Sequence, residues 1–405
     1  MALELKHINV QTCAPISLID TGSPYNFPAK GIALCLSGGG YRAMLFHLGS
    51  LWRLNEIGYL KKLTRISSVS GGSIIAAMLG LKWGKLAFDT QGVGRQFIPE
   101  IVEPIRMLAG KTIDIGAIII GIIGPCSVSS RLTKAYKEYL FGKATLEDLP
   151  DSPRFVINAT NVQSGALWRF MKPYMRDYKV GEVKNPKIDL ATVVAASSAF
   201  PPFLSPTKLK LNSSDFTPNS GKLQREPFTT DIMLTDGGVY DNLGLETAWK
   251  RYDTIWVSDG GACLKPEANP KVDWARQLYR ILNLIDNEVV SLRKRQVIDS
   301  FKLRNKMIRE KADQNSDLFK LTTREGTYWG VRTNIEDYKL ADALPCPFEK
   351  TLELANEPTR LKSINSDIQE RLINWGYAVC DAAMRKHVDN TLLKPLTFPY
   401  LRGVN

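Results

Sequence analysis

The chain has 405 residues, of which 44% are hydrophobic and 23% charged. That balance excludes wholesale disorder, and the length allows one large domain or two ordinary ones. A formal net charge of +12 and a pI near 9.3 direct attention to anionic partners.

Residues 1–30 read as an irregular, proline-containing lead-in, and the core begins at Gly31. The opening Met-Ala-Leu-Glu-Leu-Lys-His has no basic segment followed by an apolar one, so no signal peptide is expected. Gly31–Leu36 is an apolar run that stops at Gly38-Gly39-Gly40 and becomes an amphipathic pattern over Tyr41–Ile57, which Gly58 ends. This predicts a buried strand, a tight turn and a helix. Three glycines let bare N–H groups converge on one point. The following helix dipole and Arg42 add positive potential, so the turn suits an anion or a developing oxyanion.

A second strand, Arg65–Val69, leads to Ser70, two glycines and the apolar Ile74–Leu79. A serine at a strand–turn–helix junction has the setting of a nucleophile elbow. Ser67 and Ser68 fall within the strand and Ser73 within the helix, so Ser70 leads. Residues 85–150 read as mixed helix and loop. Within them, Ile113–Gly124 is apolar but far short of the roughly 20 residues that span a bilayer. It reads as a buried core segment, or as a flap that dips into a membrane interface or lids a lipid pocket.

Arg154–Thr160 is expected to be a third strand and Ala166–Met171 a fourth. Asp189–Ser198 forms a short helix ending in Ala199-Phe-Pro-Pro202. Residues 205–230, rich in Lys, Asn, Ser and Pro, read as an exposed loop. Asp231–Thr235 is a strand running into Asp236-Gly237-Gly238, and Thr254–Ser258 is another, with helices beyond. Strands alternating with helices predict an α/β fold with a largely parallel sheet. Ligands bind such sheets at the carboxyl ends of strands, where Gly38–Gly40, Ser70 and Asp236 would meet.

Residues 291–311 hold eight Lys/Arg against two acids, half of the total excess. Leu278, Ile281, Leu282, Ile285, Val289 and Leu292 fall at helical spacing before Arg293-Lys-Arg295. The cationic stretch reads as a solvated helix face or as attachment to an anionic membrane surface. No zinc-ligand spacing, RNA-binding aromatic motif or recognition-helix pattern supports nucleic acid as a partner. The six cysteines (13, 35, 126, 263, 346, 380) include no C-x-x-C pair and read as reduced thiols of a cytosolic protein.

Serine oxygen needs a base to take its proton. The chain has three histidines: His7 in the lead-in, His47 on the first helix and His387 on a basic C-terminal helix. Each is more readily structural than catalytic. Asp236 is the other candidate. An exposed aspartate is too weak a base, but in a dry pocket its charged form is disfavoured and its basicity rises. It would equally serve as a cap for the segment after it, as would Asp241.

Ser37-Gly-Gly-Gly-Tyr-Arg42, Ser68-Val-Ser-Gly-Gly72 and Asp236-Gly-Gly238 resemble, in order, the three blocks of the patatin-like phospholipases. Asn158-Ala-Thr-Asn161 with Gly165, Ala195-Ala-Ser-Ser-Ala-Phe-Pro-Pro202 and Tyr240-Asp-Asn-Leu-Gly244 agree. The resemblance runs from about Gly31 to Gly261. It implies a three-layer fold whose central sheet is flanked by helices, and a Ser–Asp dyad without histidine. Ser70 would be the nucleophile and Asp236 its base. The Gly38, Gly39 and Gly40 amides, with Gly71, would hold the oxyanion. Arg42 would steady the turn or a substrate phosphate, with Gly72, Gly237 and Gly238 in support. One departure is Ser68, which stands where the family's elbow begins with glycine.

The resemblance therefore implies a metal-independent, cofactor-free lipid acyl hydrolase of the phospholipase A type. It would act from the cytoplasm at the inner face of a membrane, on a phospholipid surface of anionic character. A general carboxylesterase or neutral lipase, and a catalytically silent membrane-binding protein, are the alternatives. Residues 31–261 would form the catalytic core and 262–405 a mostly helical C-terminal extension packed on it.

Overall fold

A computed structural model describes residues 27–113, 126–201 and 204–405. His7, most of the lead-in, the apolar run beyond Ile113 and Pro202 lie outside the described residues. The first strand, β1 (Ala29–Leu36), shows how the sheet is sandwiched. Ala33 and Cys35 point into one apolar cluster, and Leu34 and Leu36 into another on the opposite face. Burial on both sides is why the run is apolar at successive positions instead of alternating with polar residues.

In chain order α1 (Gly40–Glu56), β2 (Leu63–Val69) and α2 (Gly71–Lys82) follow. Two shorter helices, α3 (Glu103–Ala109) and α4 (Cys126–Tyr136), lead to β3 (Arg154–Asn161). An antiparallel meander of β4 (Ala166–Phe170), β5 (Tyr174–Asp177) and β6 (Gly181–Lys184) continues from it. Next come α5 (Leu190–Ser197), β7 (Thr207–Lys210) and β8 (Asp231–Asp236). Two single-turn helices, α6 (Gly238–Asp241) and α7 (Glu246–Trp249), precede β9 (Tyr252–Asp259). The rest comprises α8 (Trp274–Arg309), α9 (Asp317–Thr322), β10 (Glu325–Gly330), α10 (Phe348–Ala355) and α11 (Ser366–His387).

The central strands, ordered β10-β9-β1-β2-β3, are parallel. Helices α1, α2 and α11 cover one face, while α7 and α8 cover the other. Helix α11 lies so close to α1 that a Cβ on Gly49 would fall 1.9 Å from the Ile373 carbonyl oxygen. With β10 in the sheet, α11 on α1 and α8 on the opposite face, residues beyond 261 contribute to all three layers.

One expectation is corrected, and one strand direction that the sequence left open is set. The segment 205–230 is not wholly loop, since Thr207–Lys210 forms β7 against β8. Thr207 and Leu209 are buried while Lys208 and Lys210 are exposed, the alternation of a half-covered edge strand hidden in a polar stretch. Strand β8 is antiparallel to β3, so Asp236 does not end a parallel strand.

Candidate active site

The direction of β8 is what brings Ser70 and Asp236 together. Along one edge of β3, β2 pairs as far as Val69 opposite Asn158. On the same edge β8 arrives from the other direction and ends with Asp236 opposite Ala159. The two strands stop head to head one β3 residue apart, and Ser70 follows Val69. The Ser70 hydroxyl comes close enough to the Asp236 carboxylate to favour its charged form.

Ser70 sits at φ 52°, ψ −119°, where a residue with a side chain is strained by about 1–3 kcal/mol. The surroundings impose this conformation. A Cβ on Gly71 would lie 2.1 Å from the Gly40 oxygen, and one on Gly72 2.5 Å from the Leu36 oxygen. The serine junction and the glycine turn are thus backbone against backbone. Ser68, the departure from the family pattern, is accommodated without a side-chain clash. It is fully buried, donates to the Val156 carbonyl at 3.3 Å and accepts from Ser73 at 3.1 Å. Ser73 lies within α2, and Ser67 and Ser68 within β2, each directed into the interior.

One short segment supports both members of the pair. The Ser197 hydroxyl accepts from the Ser70 amide at 3.1 Å and donates to the Asn158 carbonyl at 2.6 Å. Two residues on, the Ala199 carbonyl accepts from the Asp236 amide at 3.0 Å. Sequence reasoning assigned Ser197 no role, although it lies in one of the motifs that carried the resemblance. Its signal was the polar pair Ser197-Ser198 ending an otherwise apolar helix.

Asp236 is 2% exposed. Burial pushes its carboxyl up to about 7, opposed by hydrogen bonds from the Gly238 amide and the Ser70 hydroxyl and reinforced by the negative charge of Asp286. The Gly238 amide donates at 2.7 Å, so Asp236 caps its turn and meets the serine at once. Gly237 is needed for the fit, as a Cβ there would lie 2.4 Å from the Asn158 oxygen. Asp286 lies on α8 and still reaches solvent, yet the protein crowded around it strips enough water to push its carboxyl up to about 6.

In the glycine turn, Gly39 and Gly40 have φ 142° and 60°, and a Cβ on Gly39 would strike the Gly260 oxygen at 2.7 Å. The expectation for Gly38 is corrected here: its amide donates to the Asn242 carbonyl at 3.0 Å and is not free for an oxyanion. A Cβ on Gly38 would lie 2.3 Å from the Asn242 side-chain oxygen and 3.2 Å from the Ser70 Cβ. Gly38 is therefore a spacer between Asn242 and the serine. Asn242 likewise lies in one of the motifs that carried the resemblance but was assigned no role, because its partner lies two hundred residues away.

Arg42 is 1% exposed and spans two carbonyls, donating to Gly260 through Nε and Nη2 and to Glu357 through Nη1. Of its two expected roles, it fills the steadying one; its donors are turned into the protein. His47 is fully buried, with Nε2 3.0 Å from the Ser37 carbonyl and Nδ1 2.8 Å from the Ser258 hydroxyl. Burial pushes its imidazole down to about 4. A neutral ring donating from Nε2 and accepting at Nδ1 satisfies both contacts, and His47 pins the turn.

The cationic stretch is neither simply solvated nor free. Arg293 lies 3.5 Å from Asp241 and 3.4 Å from Glu246, and Lys294 lies 2.6 Å from Asp259. Burial disfavours the Asp259 charge, but Lys294, the Tyr328 hydroxyl and the Gly261 amide outweigh it and hold the carboxyl down to about 2. Asp241 accepts from the Leu243 and Glu246 amides, the capping role anticipated for it. Cys35, Cys263, Cys346 and Cys380 are free thiols.

A strained serine at a strand–helix junction thus stands near a buried aspartate and a glycine turn on an α/β scaffold. The profile of the family described as "Patatin-like phospholipase" matches residues 34–249, and the chain belongs to that family. No curated protein matches it. Among solved structures, human GIVD cytosolic phospholipase A2 is similar at 12% identity and a TM-score of 0.48, covering 86% of this chain and 58% of that one. The same human protein in complex with methyl gamma-linolenyl fluorophosphonate and terbium chloride gives 13% and 0.49, covering 87% and 58%. VipD from Legionella pneumophila gives 16% and 0.34, covering 88% of this chain and 66% of VipD. The chain thus spans under two thirds of the length of these proteins.

Proposed function

We propose that this chain is a lipid acyl hydrolase of the phospholipase A type, working through a Ser70–Asp236 dyad. The observation that carries the reading is the head-to-head meeting of β2 and β8, which sets a strained Ser70 beside a buried Asp236 whose carboxyl is raised to about 7. A base of that strength is matched to neutral pH, whereas an ordinary aspartate is not. Asp236 takes the Ser70 proton as the oxygen attacks the ester carbonyl of a glycerophospholipid. The Gly39 and Gly40 amides, with Gly71, receive the charge on the tetrahedral oxygen, and the lyso-lipid leaves with the proton. Asp236 then activates water, which releases the fatty acid from Ser70.

Family membership supports lipid hydrolysis at the coarse level; the dyad, the phospholipid substrate and independence from metal are the finer proposal. The partner is a phospholipid surface approached from one side. Among the described residues no helix is long and apolar enough to cross a membrane. Residues 31–261 are read as the catalytic core, with 262–405 completing its layers.

The test is fatty-acid release from mixed phosphatidylcholine–phosphatidylglycerol vesicles in EDTA, with Ser70→Ala and Asp236→Asn beside the parent chain. Release by the parent, lost in both variants, supports the dyad. Release unchanged in either variant overturns the assignment, and sensitivity to EDTA overturns metal independence.

A further inference from the structure

Helix α8 carries an apolar surface that is exposed among the described residues. Its protein side is formed by Val290, Val297 and Phe301, with Arg293 and Lys294 clamped onto buried carboxylates. Its first half presents a second apolar stripe. Trp274, Leu278, Ile281, Ile285 and Leu292 are 78%, 49%, 47%, 53% and 58% exposed. Spacings of four, seven, eleven and eighteen residues all return to within about 40° of Trp274, so the five share one face over about 27 Å of helix.

The second half supplies the matching charge. Arg295, Lys302, Lys306 and Arg309 are exposed and recur after seven, four and three residues, a row beside the stripe's line. An apolar stripe continued by a basic row is the pattern of a helix lying in a bilayer interface, apolar side in the acyl boundary and cations at headgroup level. A second copy of the chain would bring +12 against +12, whereas an anionic bilayer is complementary. The helix also lies at the site: it contacts α6, which begins two residues after Asp236, and the charge of Asp286 acts on Asp236.

We propose that the outward face of α8, from Trp274 to Arg309, is the surface by which this chain docks on an anionic lipid bilayer, setting the Ser70 mouth against the lipid. This rests on the lipid-hydrolase reading for its purpose but not for its test. Binding is measured by cosedimentation of the Ser70→Ala chain with phosphatidylcholine–phosphatidylglycerol vesicles and with phosphatidylcholine alone. The comparison carries Leu278→Gln, Ile281→Gln and Ile285→Gln together, changes at exposed helical positions. A parallel pair with Ser70 intact is assayed on a soluble short-chain ester.

The expected result is binding to anionic vesicles that weakens at least tenfold in the triple variant and is weak on phosphatidylcholine. Soluble-ester hydrolysis should stay within twofold. Equal binding by the triple variant, or no binding to anionic vesicles by the parent, overturns the proposal. A dimer that the triple variant dissociates while vesicle binding is unchanged assigns the face to self-association and also overturns it. Vesicle binding lost in the triple variant, with no ester cleaved by the parent, leaves the docking surface standing and removes the hydrolase reading.

Discussion

Replacing Asp236 with Asn should inactivate the protein and stabilise it. Burial raises the carboxyl from 3.8 to about 7, so folding holds an ionised group where it is disfavoured. A difference of about three pH units between folded and unfolded chains is worth about 4 kcal/mol. The sign follows from proton binding. Between the two values the folded chain binds more protons than the unfolded one, so this carboxyl's contribution to stability falls as pH rises from about 4 to 7. Asparagine carries no such penalty, while its side-chain oxygen still accepts from the Gly238 amide. The variant's advantage should be about 4 kcal/mol at pH 8, under about 2 at pH 5 and close to nil at pH 3.5. Urea unfolding of both proteins across that range, with equal m-values, reads the difference directly. A variant less stable than the parent at pH 8, or a gap that does not change with pH, would refute the assignment of Asp236 as a carboxylate raised by burial.

Three further outcomes follow from the same geometry. kcat/KM on a soluble ester should rise with pH through an apparent value near 7, and Asp286→Asn should move that limb to lower pH by removing a like charge; a limb that does not move means Asp286 does not act on the base. Gly39→Ala should lower kcat about 10²- to 10³-fold with substrate affinity nearly kept, because a Cβ 2.7 Å from the Gly260 oxygen must displace the turn; near-normal kcat would remove Gly39 from the oxyanion site. His47→Asn should lower the melting temperature yet leave Ser70 open to labelling by a fluorophosphonate, since His47 contacts Ser37 and Ser258 and not the serine oxygen; loss of labelling in a folded variant would point to a histidine base.

The serine and the glycine turn were legible because their signals are local. An apolar run ending in glycines and followed by helical spacing can be read within a dozen residues: β1, α1 and β2 fall within two residues of expectation, and α2 follows directly on Ser70. Strand direction carries no such signal. Asp231–Asp236 has the same pattern whether it runs with β3 or against it, so the head-to-head meeting of β2 and β8 could not be read from it. The four-residue strands β5, β6 and β7 are too short to show a period above their polar surroundings. Arg293 and Lys294 looked like part of a cationic face because their partners, Asp241 and Asp259, lie far back in the chain. Ser197 and Asn242 were hidden for the same reason: their roles exist only in contacts across strands.

Three buried aspartates stand at this end of the sheet, and the way they are paired sets Asp236 apart from the other two. Asp259 receives Lys294 at 2.6 Å and is held down to about 2. Asp241 meets Arg293 at 3.5 Å and two backbone amides. Asp236 receives a hydroxyl and one amide, too little to offset its burial. Helix α8 supplies both cations and also Asp286, whose charge raises Asp236 further. Its Lys294 reaches the glycine turn through Asp259, whose carboxylate accepts from the Gly261 amide next to the Gly260 carbonyl that Arg42 grips. Helix α8, which presents an exposed apolar stripe, is therefore also the element whose charges face the three aspartates beside the serine.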